Sequence, residues 1–406
     1  MYTKKDVFDF VREEGVKFIR LAFCDLNGNQ KNISIMPDEL ERAFDDGISF
    51  DASAVHGFGD EVGSDLFLSP VPSTLSILPW RPSQGKVVKM FCFVKTPDGN
   101  NFPKDPRYVL SGAVDRAKSL GINVKIGSEY EFYLFKTDEN GYPTKIPFDN
   151  AGYMDVAPDD KGENIRREIC LSLVDMGIYP ESSHHEEGPG QNEIDFRYAD
   201  AMSAADNAVT FKSVVNTISA RSGLFADFSP KPVSDKPGNG MHINISAKAA
   251  SGEDIMEPVL AGILKYISDM TLFLNPSVDS YRRFGCDKAP LYISWSRENR
   301  SQLIRIPAAV GEYKRAELRS PDPMCNPYLA FALIIRAGLE GVKNDLKLPK
   351  AADINLYQAP AEVLKDFKSL PRNFDEAVSV AKASDFIFDT LPETIIDSYV
   401  NNRTKI

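Results

Sequence analysis

The chain has 406 residues, 43% hydrophobic and 26% charged, which is enough for two or three units with a sizeable core. Its formal net charge of −11 argues against nucleic acid or an anionic membrane surface as a partner, because phosphate binding needs a basic face. The five cysteines are scattered with no CxxC pair, which reads as reduced thiols of a cytoplasmic protein; there is no signal-like apolar segment after Met1 and no run near the ~18 apolar residues of a membrane span.

In chain order, a helix is expected over Lys4 to Glu14, a strand over Val16 to Phe23 and another from Lys31 to Ile35. Asn27-Gly28 between these two apolar runs is a hairpin signal. Phe50-Asp51-Ala52-Ser53-Ala54-Val55-His56-Gly57 reads as a polar, small-residue loop that neither helix nor strand periodicity explains. Strands follow over Thr74 to Leu78 and Val87 to Lys95, and then Pro97, Asp98, Gly99, Asn100 and Pro103 punctuate the chain. The division is thus a β-rich unit at 1–103 and a second unit at 104–406.

The second unit opens with a helix from Pro106 to Leu120 and passes directly into Gly127-Ser128-Glu129-Tyr130-Glu131-Phe132-Tyr133, a strand with Glu129 and Glu131 on one face. A helix beginning at Pro158-Asp159-Asp160 runs to Gly177, a strand covers Gln191 to Tyr198, and Ser203 with Asp206 reads as a capping box for a helix through Arg221. A Pro/Gly loop over Lys231 to Gly240 feeds a strand from Met241 to Ser246. Helices over Glu257 to Phe273 and Tyr328 to Leu339 flank strands near Leu291 to Ser296, Ser301 to Ile306 and Arg315 to Arg319, and the tail from Asn373 to Asn401 is helical. Interspersed strands and helices with short antiparallel connections make the class α+β.

Two like charges on a half-buried strand are costly unless a cation neutralises them. The same anomaly recurs in His184-His185-Glu186-Glu187-Gly188-Pro189-Gly190-Gln191-Asn192-Glu193-Ile194-Asp195, in Met241-His242-Ile243-Asn244-Ile245-Ser246 and at Glu317 with Arg319. Carboxylates with one imidazole and no paired cysteines favour Mg²⁺ or Mn²⁺ over zinc or iron. Arg300, Arg305 and Arg319 suit oxyanion binding, and no GxxxxGK[ST] occurs. The residues by themselves suggest metal-dependent phosphoryl transfer on a sheet without a P-loop.

From about residue 16 to residue 400 the order of these motifs resembles glutamine synthetase, and among its classes the bacterial type I enzymes. Gly-Ser-Glu-Tyr-Glu-Phe at 127–132, His-His-Glu with Gly-Gln-Asn-Glu at 184–193, and Gly-Asn-Gly-Met-His at 238–242 look like the family's metal motifs. Asn-Arg-Ser at 299–301, Ile-Arg-Ile-Pro at 304–307, Glu-Leu-Arg at 317–319 and Asn-Pro-Tyr at 326–328 complete the series. The resemblance implies an N-terminal β-grasp domain and a larger domain whose antiparallel sheet forms an open funnel. It also implies an ATP-dependent ligase that phosphorylates the side-chain carboxylate of glutamate and lets ammonia displace phosphate. By position Glu131, Glu186 and Glu193 would hold one Mg²⁺ or Mn²⁺, and Glu129, His242 and Glu317 another. Asn244, Ser246, Arg300 and Arg305 fall on the ATP side. Tyr153, Gly238, Arg283 and Arg319 fall on the substrate side, with Arg283 at the α-carboxylate and Tyr153 near ammonia. Arg300 and Arg319 would act on the transferring phosphoryl, and Asp51 of a neighbouring subunit on ammonium. A site shared between subunits implies a homo-oligomer, a ring of six or two stacked rings.

The departures bear on substrate. The family's asparagine five positions before the metal histidine is Pro237 here, and the flap glutamate before Ala-Pro is Lys288, with Asp287 as the acid that could take over its role. A relative that amidates glutamate with an organic amine, or acts on another carboxylate, is the alternative reading, and a non-catalytic member a third. Tyr357, at the place of an adenylylated tyrosine, reads as a packed residue, and the short C-terminus at Asn402 to Ile406 predicts weaker ring stacking.

Overall fold

The computed structural model describes residues 2–59, 63–81, 84–286, 288–309, 311 and 314–401. Asp287 and residues 402–406, on which two of the expectations above depend, lie outside them.

The first unit runs α1 (Lys4–Glu13), β1 (Phe18–Cys24), β2 (Gln30–Ile35), α2 (Leu40–Asp45), β3 (Ile48–Asp51), β4 (Asp65–Pro70), β5 (Ser76–Ile77) and β6 (Val87–Lys95). Thr3 and Asp6 cap α1 reciprocally, which fixes its start. β1 and β2 pair antiparallel across a turn where Gly28 takes φ +81° and the Asp25 carboxylate accepts the amides of Asn27 and Asn29 at 3.0 and 2.9 Å. The strand order is β2-β1-β6-β4-β3 with β5 on β6, and β1 runs parallel to β6, the mixed sheet of a β-grasp unit. Part of the expected loop at Phe50 to Gly57 is therefore an edge strand, followed by a 3₁₀ turn over Ala52–Ala54; Asp51 pairs with Asp65 across β3 and β4.

The second unit runs α3 (Pro106–Ser119), β7 (Ile122–Thr137), β8 (Pro143–Pro147), α4 (Glu163–Asp175), β9 (Pro180–His185), β10 (Gln191–Phe196), β11 (Ala199–Asp200), α5 (Ala201–Arg221), β12 (Leu224–Asp227) and β13 (Met241–Ala249). It continues with α6 (Met256–Leu274), β14 (Trp295–Arg297), β15 (Ile304–Ile306), β16 (Ala316–Leu318), α7 (Pro327–Lys343), α8 (Ala361–Leu364), α9 (Phe374–Lys382), α10 (Asp385–Thr390) and α11 (Glu393–Val400). The main path of its sheet is β14-β15-β16-β13-β7-β10-β9. β7 buries Ile126, Tyr130, Phe132 and Leu134 on one face. That face packs on α5, where Phe211 meets Tyr130, Phe132 and Phe196 at ring-centroid distances of 5.2, 6.1 and 4.9 Å. Burial of such side chains stabilises by roughly 1.5–3 kcal/mol each. The opposite face of β7 is left for Glu129 and Glu131. α6 and α7 approach so closely that a Cβ at Gly262 would lie 2.1 Å from the Ala337 carbonyl oxygen, so only glycine fits there.

Several expected boundaries move. The helix expected from Pro158 starts at Glu163, because the Asp160 carboxylate is engaged by the Gly162 amide and by Arg166. Asp200, not Ser203, caps α5, and Asp206 is no cap partner: it is buried in an ion pair with Arg107 at 3.0 Å. The strand expected from Leu291 is confined to Trp295–Arg297, and the helical tail is broken into α9, α10 and α11. The two units lock together where the Asn326 side-chain amide donates to the carbonyls of Asp25 and Leu26 at 3.1 and 3.2 Å, and the Tyr399 hydroxyl donates to Leu26 at 2.7 Å. Among the described residues no helix is long and apolar enough to cross a membrane.

Candidate active site

Sheet register assembles acids that are far apart in sequence. Glu131 pairs with Glu193 and Glu129 with Asp195 across β7 and β10, while Glu129 pairs with His242 across β7 and β13. Glu193 pairs with His184 on β9, Asn244 on β13 with Glu317 on β16, and Glu317 with Arg305 on β15. Cross-strand partners share a face, so these side chains gather on the side of the sheet away from α5. There Glu129, Glu131, His184, Glu193, Asp195, His242 and Arg305 border a cavity of about 740 Å³ whose wall also includes Tyr153, Glu186, Gly238, Arg283, Lys288, Arg300 and Arg319.

Two donor sets stand out. The ligand atoms of Glu129, His242 and Glu317 lie within 4.8 Å of one another, as do those of His184, Glu186 and Glu193. His242 Nδ1 is 3.1 Å from Glu129 Oε2 and 3.4 Å from Glu317 Oε1, and Asn244 donates to Glu129 Oε1 at 2.7 Å. Glu131 joins neither set directly. Its carboxylate accepts the Gly240 amide at 2.8 Å and the Gln191 side-chain amide at 3.3 Å. His184 stands beside Glu193 in the second set, with Nε2 3.5 Å from Glu193 Oε1.

The charge balance divides the site. Burial pushes the Glu193 carboxyl well up, and the nearby Asp195, Glu131, Glu129 and Glu186 push it further. Burial also raises Glu131, only partly offset by His242, and lifts Asp195 to about 6 with help from Glu129. Glu317 is buried as deeply, yet Arg319, His242 and Arg305 outweigh the desolvation and hold it at about 2. Arg305 donates to Glu317 Oε2 at 2.7 Å and Arg319 to its other oxygen. One side of the cavity is thus neutralised by the chain's own guanidinium groups, and the other carries acids whose ionisation added positive charge would favour. An all-oxygen and imidazole donor set with that deficit fits a hard divalent cation.

Away from these sets, Arg283, only 3% exposed, donates to the Ser320 carbonyl at 3.2 Å and lies 3.9 Å from Asp322. A Cβ on Gly238 would lie 2.4 Å from the Pro230 carbonyl oxygen and 2.8 Å from Arg283 Cγ, so the loop passes the guanidinium only as glycine. At the mouth, the Tyr153 ring meets His184 edge-on at 5.4 Å and the Lys288 ammonium lies 5.2 Å from its centroid. Lys288 also forms an ion pair with Glu187.

The family profile for the glutamine synthetase catalytic domain matches residues 103–405, and that for the glutamine synthetase beta-Grasp domain matches residues 15–97. The chain belongs to the glutamine synthetase family. It is 44% identical to the glutamine synthetase of Clostridium saccharobutylicum, covering 99% of this chain and 94% of that protein. It is likewise 44% identical to that of Methanosarcina mazei, over 98% and 92%. Among solved structures it is similar to a GmaS/ADP complex, with a TM-score of 0.87, 28% identity and coverage of 98% and 94%. The cryoEM structure of Plasmodium falciparum glutamine synthetase shares the fold at a TM-score of 0.86 and 22% identity, over 99% and 95%.

Not every residue suggested by the resemblance to glutamine synthetase lines the cavity. Asp51 is exposed at the end of β3 in the first unit and is absent from the cavity wall. Asn244 and Ser246 lie along β13 outside the wall, Asn244 behind Glu129. Glu317 sits beneath the surface at 1% exposure. Gln191 and Asn239, inside the quoted motifs but given no role there, and Asp149, in none of them, also join. The Gln191 side-chain amide donates to Glu131, to the Gly238 carbonyl at 3.1 Å and to Asn239 Oδ1 at 3.3 Å, tying β10 to the substrate-side loop. Asn239 is fully buried and donates to the carbonyls of Asp227 and Ser229 at 3.0 and 2.9 Å. A buried amide next to a Gly-rich turn was the available sequence signal. Asp149, which accepts the Lys161 and Gly190 amides at 3.0 and 2.9 Å and lies 2.9 Å from His185 Nε2, gave none.

Proposed function

We propose that this cavity forms glutamine from glutamate and ammonia with ATP, through a γ-glutamyl phosphate. The chain is an ATP-dependent glutamate–ammonia ligase. The observation that carries the reading is the split charge balance, acids in need of cations on one side and buried arginines on the other, which suits a transferring phosphoryl group between them. Glu129, His242 and Glu317 would hold one Mg²⁺ or Mn²⁺, and Glu131, Glu186 and Glu193 another, with His184 in reach of the second. When bound, these cations supply charge neutralisation at the transferring phosphoryl. Arg283 and the Gly238 backbone hold the substrate's α-amino acid end. The γ-carboxylate takes the γ-phosphoryl of ATP, with Arg300, Arg305 and Arg319 compensating its charge, while Asn244 and Ser246 serve the nucleotide side. A carboxylate is a poor acyl donor, whereas the acyl phosphate has a good leaving group. Ammonia then attacks the γ-carboxyl carbon, the C–N bond forms, and phosphate leaves with the C–O bond electrons. Asp51 of a neighbouring subunit, with this chain's Tyr153 close by, binds ammonium and takes the proton whose loss gives ammonia.

The same reading makes the protein a cytoplasmic homo-oligomer, a ring of six or a stacked pair of rings, with a domain boundary at residue 103. None of its five cysteines is in a disulfide, which supports a reducing setting.

The test is phosphate release from ATP with Mg²⁺ and glutamate, comparing ammonium with a panel of primary amines. Turnover fastest with ammonium, yielding glutamine, is the expected result. Ammonium inert beside an active amine would overturn it in favour of a γ-glutamyl-amine ligase.

A further inference from the structure

The mouth of the cavity holds a cation that belongs to the chain itself. Lys288 has the left-handed φ of +66°, uncommon for a residue with a Cβ, and is held at both ends. Its carbonyl accepts from Arg319 Nη2 at 3.3 Å, and its ammonium is ion-paired with Glu187 and lies 5.2 Å from the centroid of the Tyr153 ring. The main chain at Glu187 is fixed in turn, since its backbone amide donates to Glu186 Oε2 at 2.9 Å. A carboxylate and an aromatic face around one ammonium group form a seat for a small primary ammonium. The substrate ammonium has the same chemistry as the group now in it.

We propose that Lys288 is a tethered occupant of the amine seat: its ammonium competes with incoming ammonium for Glu187 and Tyr153, and so sets how much free ammonium half-saturates the enzyme. The inference rests on reading the Tyr153 side of the cavity as the amine side. The side chains of Lys288 and Glu187 are 45% and 39% exposed, so the competition is weak. If the lysine holds the seat most of the time, the apparent affinity for ammonium is reduced by the fraction of time the seat is vacant, an effect of about two- to fivefold at such an exposed pair. Lys288 is on this account a specificity-setting residue; it takes no part in bond making.

The experiment uses the full chain with Mg²⁺, ATP and saturating glutamate, and follows glutamine formation against ammonium concentration. Lys288→Met and Lys288→Gln are expected to lower the ammonium KM about two- to fivefold with the glutamate KM unchanged, and Lys288→Arg, which keeps a cation there, to retain the parent value. Adding Glu187→Gln to Lys288→Met is expected to raise the ammonium KM again, because the seat then lacks its carboxylate. An ammonium KM that is unchanged or higher in both Lys288→Met and Lys288→Gln overturns the tethered occupant and leaves the activity standing. No ammonium-dependent glutamine from the parent protein overturns the activity and the seat together.

Discussion

Lys89 on β6 is 3% exposed, donates to the Thr210 hydroxyl at 2.5 Å and lies 4.2 Å from the centroid of the Phe91 ring. Burial pushes its pKa down to about 7, against the opposing pull of Asp206. In the unfolded chain a lysine holds its proton up to about pH 10.4. Between that value and about 7 the unfolded state therefore binds more protons than the folded one, so stability rises with pH across this window and levels off below it. The cost of this buried lysine at neutral pH is on the order of a few kcal/mol. Replacing it with an apolar side chain of similar length removes most of that cost and gives up one hydrogen bond. Lys89→Met is expected to raise the unfolding free energy at pH 7.5 by about 1–3 kcal/mol and to flatten the increase between pH 7 and 9.5, measured by denaturant titration at each pH. A variant less stable than the parent at pH 7.5 would mean that the Thr210 and Phe91 contacts outweigh desolvation.

At the scale of elements, the turn from β9 to β10 carries Glu186 at one end and leads to Glu193 beyond the other, so its geometry sets the spacing of those acids. Asp149 holds it from behind. One oxygen lies 2.9 Å from His185 Nε2 and accepts the Gly190 amide, and the other accepts the Lys161 amide, so the loop bearing Tyr153 and the turn move together. Asp149→Asn keeps the shape but presents a donor where three donors converge. The expected outcome is a 10–100-fold rise, by order of magnitude, in the Mg²⁺ concentration that half-saturates phosphate release, because the turn that spaces Glu186 and Glu193 loses its anchor. An unchanged Mg²⁺ dependence would make Asp149 a residue of stability alone. The contrast with Glu129 shows what can be seen in a sequence. Glu129 and Glu131 interrupt an apolar strand, and the conflict is visible without a partner. Asp149 sits in a stretch rich in polar and turn residues, where one more aspartate breaks no pattern. The same holds for Asp206, whose partner Arg107 is 99 residues away, so its spacing from Ser203 suggested a cap that the backbone does not use. β7, β10 and β13 could be read from periodicity because one face is apolar. β4 could not, since Pro70 and Pro72 punctuate its end and its alternation is short.

At the scale of the whole molecule, Asp51 bears on how subunits share a site. It lies exposed at the end of β3, on a sheet edge of the first unit, and it does not line this chain's own cavity. If it serves the cavity of a neighbour, each working site draws Asp51 from one subunit and Arg283 from the next, an arrangement that a ring of head-to-tail contacts closes by symmetry. Asp51→Ala and Arg283→Ala would then each be inactive alone for different reasons. Co-expressed at equal levels with different tags and purified through both, they form rings in which a site is intact when its Asp51 comes from an Arg283→Ala subunit and its Arg283 from an Asp51→Ala subunit. With random assembly about a quarter of the sites meet both conditions, so roughly a quarter of the parent activity per site is expected. Activity no higher than that of either single variant, in rings shown by mass photometry to contain both tags, would mean that Asp51 does not serve a neighbour's site.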